Sequence, residues 1–132
     1  MKDKDCIFCK IIEGKIPSVK LYEDDKCFVI LDNFPATEGQ SLVMSKKHES
    51  YIINLDDDVY KHLFIVAKNI SRKIDNSLKT LRTCFVVEGF EIDHVHIRLH
   101  PCYENKLLTK GTRASKEELE TVRDKILTNN KG

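Results

Sequence analysis

Three of the five histidines fall within seven residues, in the stretch Asp93-His94-Val95-His96-Ile97-Arg98-Leu99-His100-Pro101. An imidazole facing a cleft can be nucleophile, general base or metal ligand, depending on what its second nitrogen touches. An arginine adds a permanent forked charge suited to nonbridging phosphate oxygens. If the stretch is a strand, alternation sends His94, His96, Arg98 and His100 to one face and Val95, Ile97 and Leu99 to a core. The polar face then presents four basic groups at steps of about 6.6 Å. Such groups are costly to bury without partners, so an anion, a metal or water must meet them. Attack on phosphorus needs one neutral ring nitrogen aimed at the phosphorus and the other bonded to an acceptor, which fixes the tautomer. His96, at mid-strand, occupies the rigid position for that task. The plain alternative is an edge strand with a solvated polar face.

Cys6 and Cys9 form a Cys-x-x-Cys. With His48 and one further histidine they would make a closed Cys2His2 set suited to structural zinc. The competing reading is two reduced thiols, with His48 ending a strand. Five cysteines is an odd count, better suited to thiols or metal ligands than to a disulfide framework. Cys27, Cys84 and Cys102 are read as core or surface thiols.

These residues must be positioned by a chain of 132 residues, one domain by length, with 41% hydrophobic and 33% charged residues. The formal net charge of +1 argues against bulk attraction to nucleic acid or anionic membrane. No apolar run nears the ~20 residues of a membrane span, and MKDKDCIFCK lacks a signal-peptide core. The expectation is an intracellular, cytoplasmic protein, with the nucleus as the alternative location. Residues 6–13 predict a short helix, capped by Asp5 and stopped by Gly14. Strands are expected over 19–23, 26–32 and 41–45 as an antiparallel meander. A 3.6-residue period over 56–77 predicts a long helix, with Val59, Leu63, Val66, Ala67, Ile70 and Ile74 as its apolar stripe. A fourth strand over 82–88 leads through a tight connection at 89–91 into the histidine strand at 92–100, which Pro101 ends. Residues 102–114 read as a polar connector. Ser115 with Glu118 predicts a capping box for a final amphipathic helix carrying Leu119, Val122 and Ile126. The result is an α+β class with a five-stranded, mostly antiparallel sheet, one long central helix and a C-terminal helix.

The segments Cys6-Ile7-Phe8-Cys9-Lys10-Ile11-Ile12-Glu13-Gly14-Lys15-Ile16-Pro17, Tyr22-Glu23-Asp24-Asp25, Ile30-Leu31-Asp32, Leu42-Val43-Met44-Ser45-Lys46-Lys47-His48 and His94-Val95-His96-Ile97 resemble the histidine triad (HIT) family of nucleotide hydrolases and transferases. The resemblance is in register over about residues 6–101. It implies a single HIT-like domain over 1–132, with a helical extension at about 115–128 and a dimer that joins two five-stranded sheets. It further implies that His96 attacks the α-phosphate of a purine nucleotide conjugate to form a nucleotidyl-histidine, which water resolves. Asp32 would bind the ribose hydroxyls, with Ile7, Phe8, Ile11 and Leu31 near the base. Members that keep both cysteines resemble this chain in pairing them with the Lys-x-His histidine, here His48, and the first triad histidine, here His94. His94 is then a zinc ligand rather than an acid or base.

Two positions depart from the family pattern. The third histidine is replaced by Arg98, which can hold phosphate but cannot donate a proton; His100, about 13 Å from His96 along an extended strand, is no substitute. The loop before the strand, Glu88-Gly89-Phe90-Glu91-Ile92-Asp93, lacks the usual Gly-Gln-Ser/Thr segment, leaving Gly89 as the residue that allows close backbone approach. Two readings compete. One is a nucleotide phosphoramidate or dinucleoside polyphosphate hydrolase using His96 and Arg98; the other is a nucleotide-binding or interaction protein of the same fold with little turnover.

Overall fold

The structure, a computed structural model, describes residues 5–106 and 113–128. Alternation and period resolve the chain into α1 (Ile7–Ile12), β1 (Lys20–Glu23), β2 (Cys27–Leu31), β3 (Ser41–Ser45), α2 (Asp57–Leu78), β4 (Arg82–Val86), β5 (His96–Cys102) and α3 (Lys116–Thr128). The five strands form one antiparallel sheet in the order β1-β2-β3-β5-β4. Strands β1 to β3 are the expected meander, and β5 inserts between β3 and β4, with β4 at the edge of the sheet.

Strict alternation divides the sheet into two apolar layers. Cys27, Val29, Val43, Val95, Ile97 and Leu99 pack beneath Leu63, Val66, Ala67, Ile70 and Ile74 of α2. Phe28, Ile30, Leu42 and Met44 face the other way and are covered by Phe8 and Ile11 of α1. α2 therefore takes one face, as its stripe requires, and a six-residue helix partly roofs the other. His96 and Arg98 lie on that second face.

Three elements, α1, β5 and β4, differ in detail from the sequence reading, while Gly14 stops α1 as expected. α1 is capped by Cys6, not Asp5: the Cys6 Sγ accepts the Cys9 amide at 3.4 Å. Gly14 ends the helix at φ +80°, with its amide on the Ile11 carbonyl. β5 starts at His96 and runs through Pro101, which pairs with Thr83, to Cys102, which pairs with Arg82. Proline lacks only its own N–H, so the ladder continues past it. β4 stops at Val86, and the connection to β5 is the longer segment 87–95 rather than a tight turn. Gly39, at φ +89°, allows the loop before β3 to lie against α2, where a Cβ would come within 2.6 Å of Leu78 Cδ1.

The capping box forms as expected, with Glu118 N on Ser115 Oγ at 3.1 Å and Ser115 N on Glu118 Oε1 at 2.9 Å. The side chains of Leu119, Val122 and Ile126, expected on the apolar face of α3, lie outside the described residues.

The β1–β2 turn is bound to α2 through Asp24. Its Oδ1 accepts the amides of Lys26 (2.8 Å) and Cys27 (2.9 Å), and its Oδ2 meets His62 Nε2 (2.6 Å) and the Tyr22 hydroxyl (2.8 Å). Burial alone would raise this carboxyl, but the His62 contact and the amide and hydroxyl donors outweigh it and hold the group well below the usual carboxylate range. A depressed folded-state pKa contributes stability above the unfolded value and loses it as the pH falls. Asp24→Asn in metal-free protein should therefore cost about 1–2 kcal/mol at neutral pH. In urea titrations the gap from wild type should hold down to about pH 4 and narrow below it.

Candidate active site and metal centre

His96 is the first residue of β5 and is 6% exposed. Its Nδ1 lies 2.7 Å from the His94 carbonyl, an acceptor, so Nδ1 carries the hydrogen and Nε2 keeps a free lone pair. This is the tautomer that attack on phosphorus demands. Phe8 of α1 packs its ring edge-on to the imidazole, with centroids 4.9 Å apart at 90°, which limits rotation about χ2.

The cleft before His96 has a volume of about 180 Å³ and brings together Phe8, Asp32, Gln40, Glu88, Glu91 and Arg98, with Phe34, Leu42 and Ile92 at its walls. Asp32 follows β2. Its Oδ1 accepts the Phe34 amide at 2.9 Å and its Oδ2 accepts Gln40 Nε2 at 2.8 Å, while Gln40 Oε1 takes the Ala36 amide. Each carboxylate oxygen keeps a lone pair for a hydroxyl donor. Gln40, 5% exposed, holds the carboxylate in place. Arg98 Nη1 stands 3.8 Å from Glu88 Oε2.

Of the residues expected near a base, Phe8 lines this cleft and Ile11 belongs to the apolar layer beneath it. Ile7 is 48% exposed and lines a neighbouring cleft with Cys6 and His48. Leu31 lies on the α2 side, beside Leu21, Ile70 and Ile74. Period-two alternation explains this: Leu31 has the opposite parity to Asp32, and it is Ile30 that shares Asp32's face. Gly89 lines a small recess with Ser50, Tyr51 and His96 rather than the main cleft. His100 sits opposite Cys84 and is not among the cleft residues. Ile30, Gln40, Phe34 and Ile92 escaped the sequence reading; parity in Phe28-Val29-Ile30-Leu31-Asp32 was available for Ile30, while Gln40 carried no local signal.

On the far side of Phe8, Cys6, Cys9, His48 and His94 converge, each offering one ligand atom within 4.8 Å of the others. Cys6 Sγ to His94 Nδ1 is 3.3 Å, Cys9 Sγ to His48 Nδ1 is 3.4 Å, Cys9 Sγ to His94 Nδ1 is 3.6 Å, and the two Nδ1 atoms are 3.2 Å apart. Tetrahedral ligation at about 2.0–2.3 Å sets edges of roughly 3.3–3.8 Å, which these separations nearly match. His94 is fully buried and its Nε2 contacts the Ser45 carbonyl at 2.6 Å. Its Nδ1 is therefore an unprotonated donor aimed at the cluster, with a carbonyl behind it of the kind that orients metal-bound histidines. Burial, and then the neighbouring rings of His48 and His96, lower His94 to about 4, so it is neutral and ready to ligate. The donor set fits a metal ion.

A HIT-domain family model matches residues 13–105. The chain belongs to the HIT family. A HIT-like protein of Mycoplasma pneumoniae is 35% identical over 112 residues, covering 81% of this chain and 78% of its own. The adenosine 5'-monophosphoramidase of Saccharomyces cerevisiae is 34% identical over 106 residues, covering 79% of this chain and 66% of its own. Among solved structures, a HIT-family protein of Bacillus subtilis superposes with a TM-score of 0.86 at 27% identity, covering 98% of this chain and 99% of the other. The HIT fold, the five-stranded antiparallel sheet with its helices, is thus the one expected from the sequence.

Protein purified without added metal should retain a thiophilic divalent ion at this cluster, and Cys9→Ser should lose it. Elemental analysis reads the ion, and a thermal melt with and without chelator reads the stability it supplies; ligand and fold are coupled in such sites.

Proposed function

We propose that this HIT-family chain is a hydrolase or transferase acting at the α-phosphate of a purine nucleotide conjugate, such as a nucleoside phosphoramidate. The observation that carries the reading is the 2.7 Å contact between His96 Nδ1 and the His94 carbonyl, which leaves Nε2 with its lone pair in a cleft that also holds Arg98 and Asp32. Support for the substrate class comes from the phosphoramidase among the relatives.

In this reading Asp32, held by Gln40 and the Phe34 amide, accepts the two ribose hydroxyls, and the base rests against Phe8, Ile11, Ile30 and Ile92. Arg98 binds the nonbridging oxygens and draws charge off phosphorus. His96 Nε2 forms the P–N bond as the bond from phosphorus to the leaving group breaks, and the leaving group takes its proton from solvent. The ring becomes a cation whose Nδ1–H stays on the His94 carbonyl. Water then adds to phosphorus, the P–N bond breaks, and its proton departs to solvent, restoring neutral His96. Cys6, Cys9, His48 and His94 would hold zinc in a structural role, fixing α1 to the segment that feeds β5. A homodimer joined through the two sheets is part of the same proposal.

One observation favours a second reading, a nucleotide-binding protein of low turnover. Arg98 stands at the third position of the triad and is drawn toward Glu88, with Glu91 also at the cleft. The two readings differ in rate.

Adenosine phosphoramidate should be cleaved by the purified chain, and His96→Ala should lower kcat/KM by about ten-thousandfold or more, with the melting temperature little changed. Nucleotide binding without turnover would leave the second reading in possession. Arg98→His should lower the rate about ten- to a hundredfold, the value of a charge-assisted phosphate contact. A rise in rate would instead mean that arginine at this position impairs the enzyme.

A further inference from the structure

The β1–β2 turn holds a second convergence of ligating atoms, made of residues that take no part in the His96 cleft or in the Cys6–Cys9 cluster. Asp24, Cys27 and His62 each offer one ligand atom, and these atoms lie within 4.8 Å of one another. They come from three elements: the turn itself, the first residue of β2, and the second turn of α2. Their donors are a carboxylate oxygen, a sulfur and an imidazole nitrogen.

Asp24 is preorganised. Its Oδ1 is fixed by the Lys26 and Cys27 amides, so Oδ2 is held toward His62 Nε2 at 2.6 Å, with the Tyr22 hydroxyl 2.8 Å away. Cys27 is fully buried, whereas the His62 and Asp24 side chains are 31% and 19% exposed. Solvent therefore reaches the carboxylate and the imidazole but not the sulfur. An ion arriving from that side meets two donors at the surface and a third beneath them.

A hydrogen-bonded hub joining the turn to α2 accounts for Asp24, His62 and Tyr22. The Cys27 thiol, hydrogen-bonded to Asp24, is the buried member of that hub and brings a sulfur donor to the same point. Three protein donors of mixed S, N and O type with one side open to solvent is an arrangement that zinc accepts, its fourth position taken by water or a hydroxyl. Sulfur and imidazole disfavour magnesium and calcium.

We propose that Asp24, Cys27 and His62 form a second metal site, distinct from the Cys6–Cys9–His48–His94 cluster, that takes a thiophilic divalent cation such as zinc. The ion takes the place of the hydrogen held between His62 Nε2 and Asp24 Oδ2, which transfers through solvent to Nδ1 so that the ring stays neutral, and it displaces the proton of the Cys27 thiol, which leaves to the buffer. Without an ion the thiol stays protonated, since burial, reinforced by the Asp24 charge, pushes it up to about 12. Binding at this site must accordingly release a proton and tighten as the pH rises.

The test is the zinc stoichiometry of the full chain after exhaustive chelation, by equilibrium dialysis against zinc alone, for wild type, His62→Ala and Cys27→Ser. Wild type should bind one more equivalent than either variant, with that equivalent weakened more than about a hundredfold in the variants. Cobalt(II) titration of the same proteins should show a thiolate-to-cobalt absorption component that is missing from Cys27→Ser. Because each variant leaves the Cys6–Cys9 cluster intact, the difference reads the new site whether or not that cluster is filled. His62→Ala removes a partly exposed helix side chain, so it carries the test even if Cys27→Ser fails to fold. Equal stoichiometry in wild type and His62→Ala overturns the proposal.

Discussion

The hydrogen bond from His96 Nδ1 to the carbonyl of His94 governs the site, because it decides which ring nitrogen can react. A free histidine divides its proton between two nitrogens; here a backbone carbonyl two residues away removes the choice. That carbonyl is itself fixed. The His94 side chain is wedged against the Ser45 carbonyl on one side and the cysteine–histidine cluster on the other. The neighbouring Val95 amide reaches the Glu49 carbonyl at 2.7 Å, and its carbonyl takes the Ser45 amide at 3.2 Å. The end of the segment before β5 is thus irregular but held by hydrogen bonds, and it delivers His96 to the head of a strand flanked on both sides, by β3 and β4.

Phe8 joins the two halves of this arrangement. Its ring lies 5.7 Å from that of His94 and 4.9 Å from that of His96. Cys6 caps the helix that carries Phe8 and belongs to the cluster that encloses His94. A six-residue helix is too short to be stable on its own, so its position depends on what holds its first turn. The same sulfur that satisfies the Cys9 amide therefore also sets the distance of Phe8 from His96. The cysteine–histidine cluster and the cleft thus share Phe8 as a common wall.

The sequence disclosed the fold because its two periods are clean. The 3.6-residue stripe from Val59 to Ile74 and the alternation of Phe28-Val29-Ile30 can each bury apolar area in one way only. It marked His96, Asp32, Cys6, Cys9, His48 and His94 as candidates because their types are rare in cores and their spacing matched a family pattern, and the structure brings the last four within 4.8 Å of one another. Leu31 and Ile7 were misplaced for the opposite reason: apolar residues beside a motif carry no chemical label, and only parity within the strand tells the cleft side from the helix side. Gln40 acts through a contact across a loop with Asp32, and the Asp24–Cys27–His62 cluster joins residues up to 38 positions apart. Neither has a local pattern. Pro101 was read as a terminator on a propensity that the tertiary pairing with Thr83 overrode.

The row of basic groups in the last strand is finally divided by where regular pairing begins. His94, one step before β5, turns its ring into the cluster between α1 and the end of β3, while His96 and Arg98, in regular register opposite Met44 and Leu42, keep to the cleft face. His100, two residues further, has moved along the sheet beyond the cleft and beside β4. Charge then distinguishes the two that remain. His96 is enclosed by Phe8 and apolar neighbours, which suits a neutral nucleophile, whereas Arg98 is partly exposed and stands across from Glu88. At 3.8 Å that pair is loose, so a phosphate offering two oxygens to the guanidinium fork has the better geometry and can displace the carboxylate. In the proposed reaction Glu88, so freed, would join Glu91 in facing the group that leaves the phosphorus. On that proposal, a neutral or cationic leaving group would be preferred over a polyphosphate chain, because each further phosphate would meet like charge at short range.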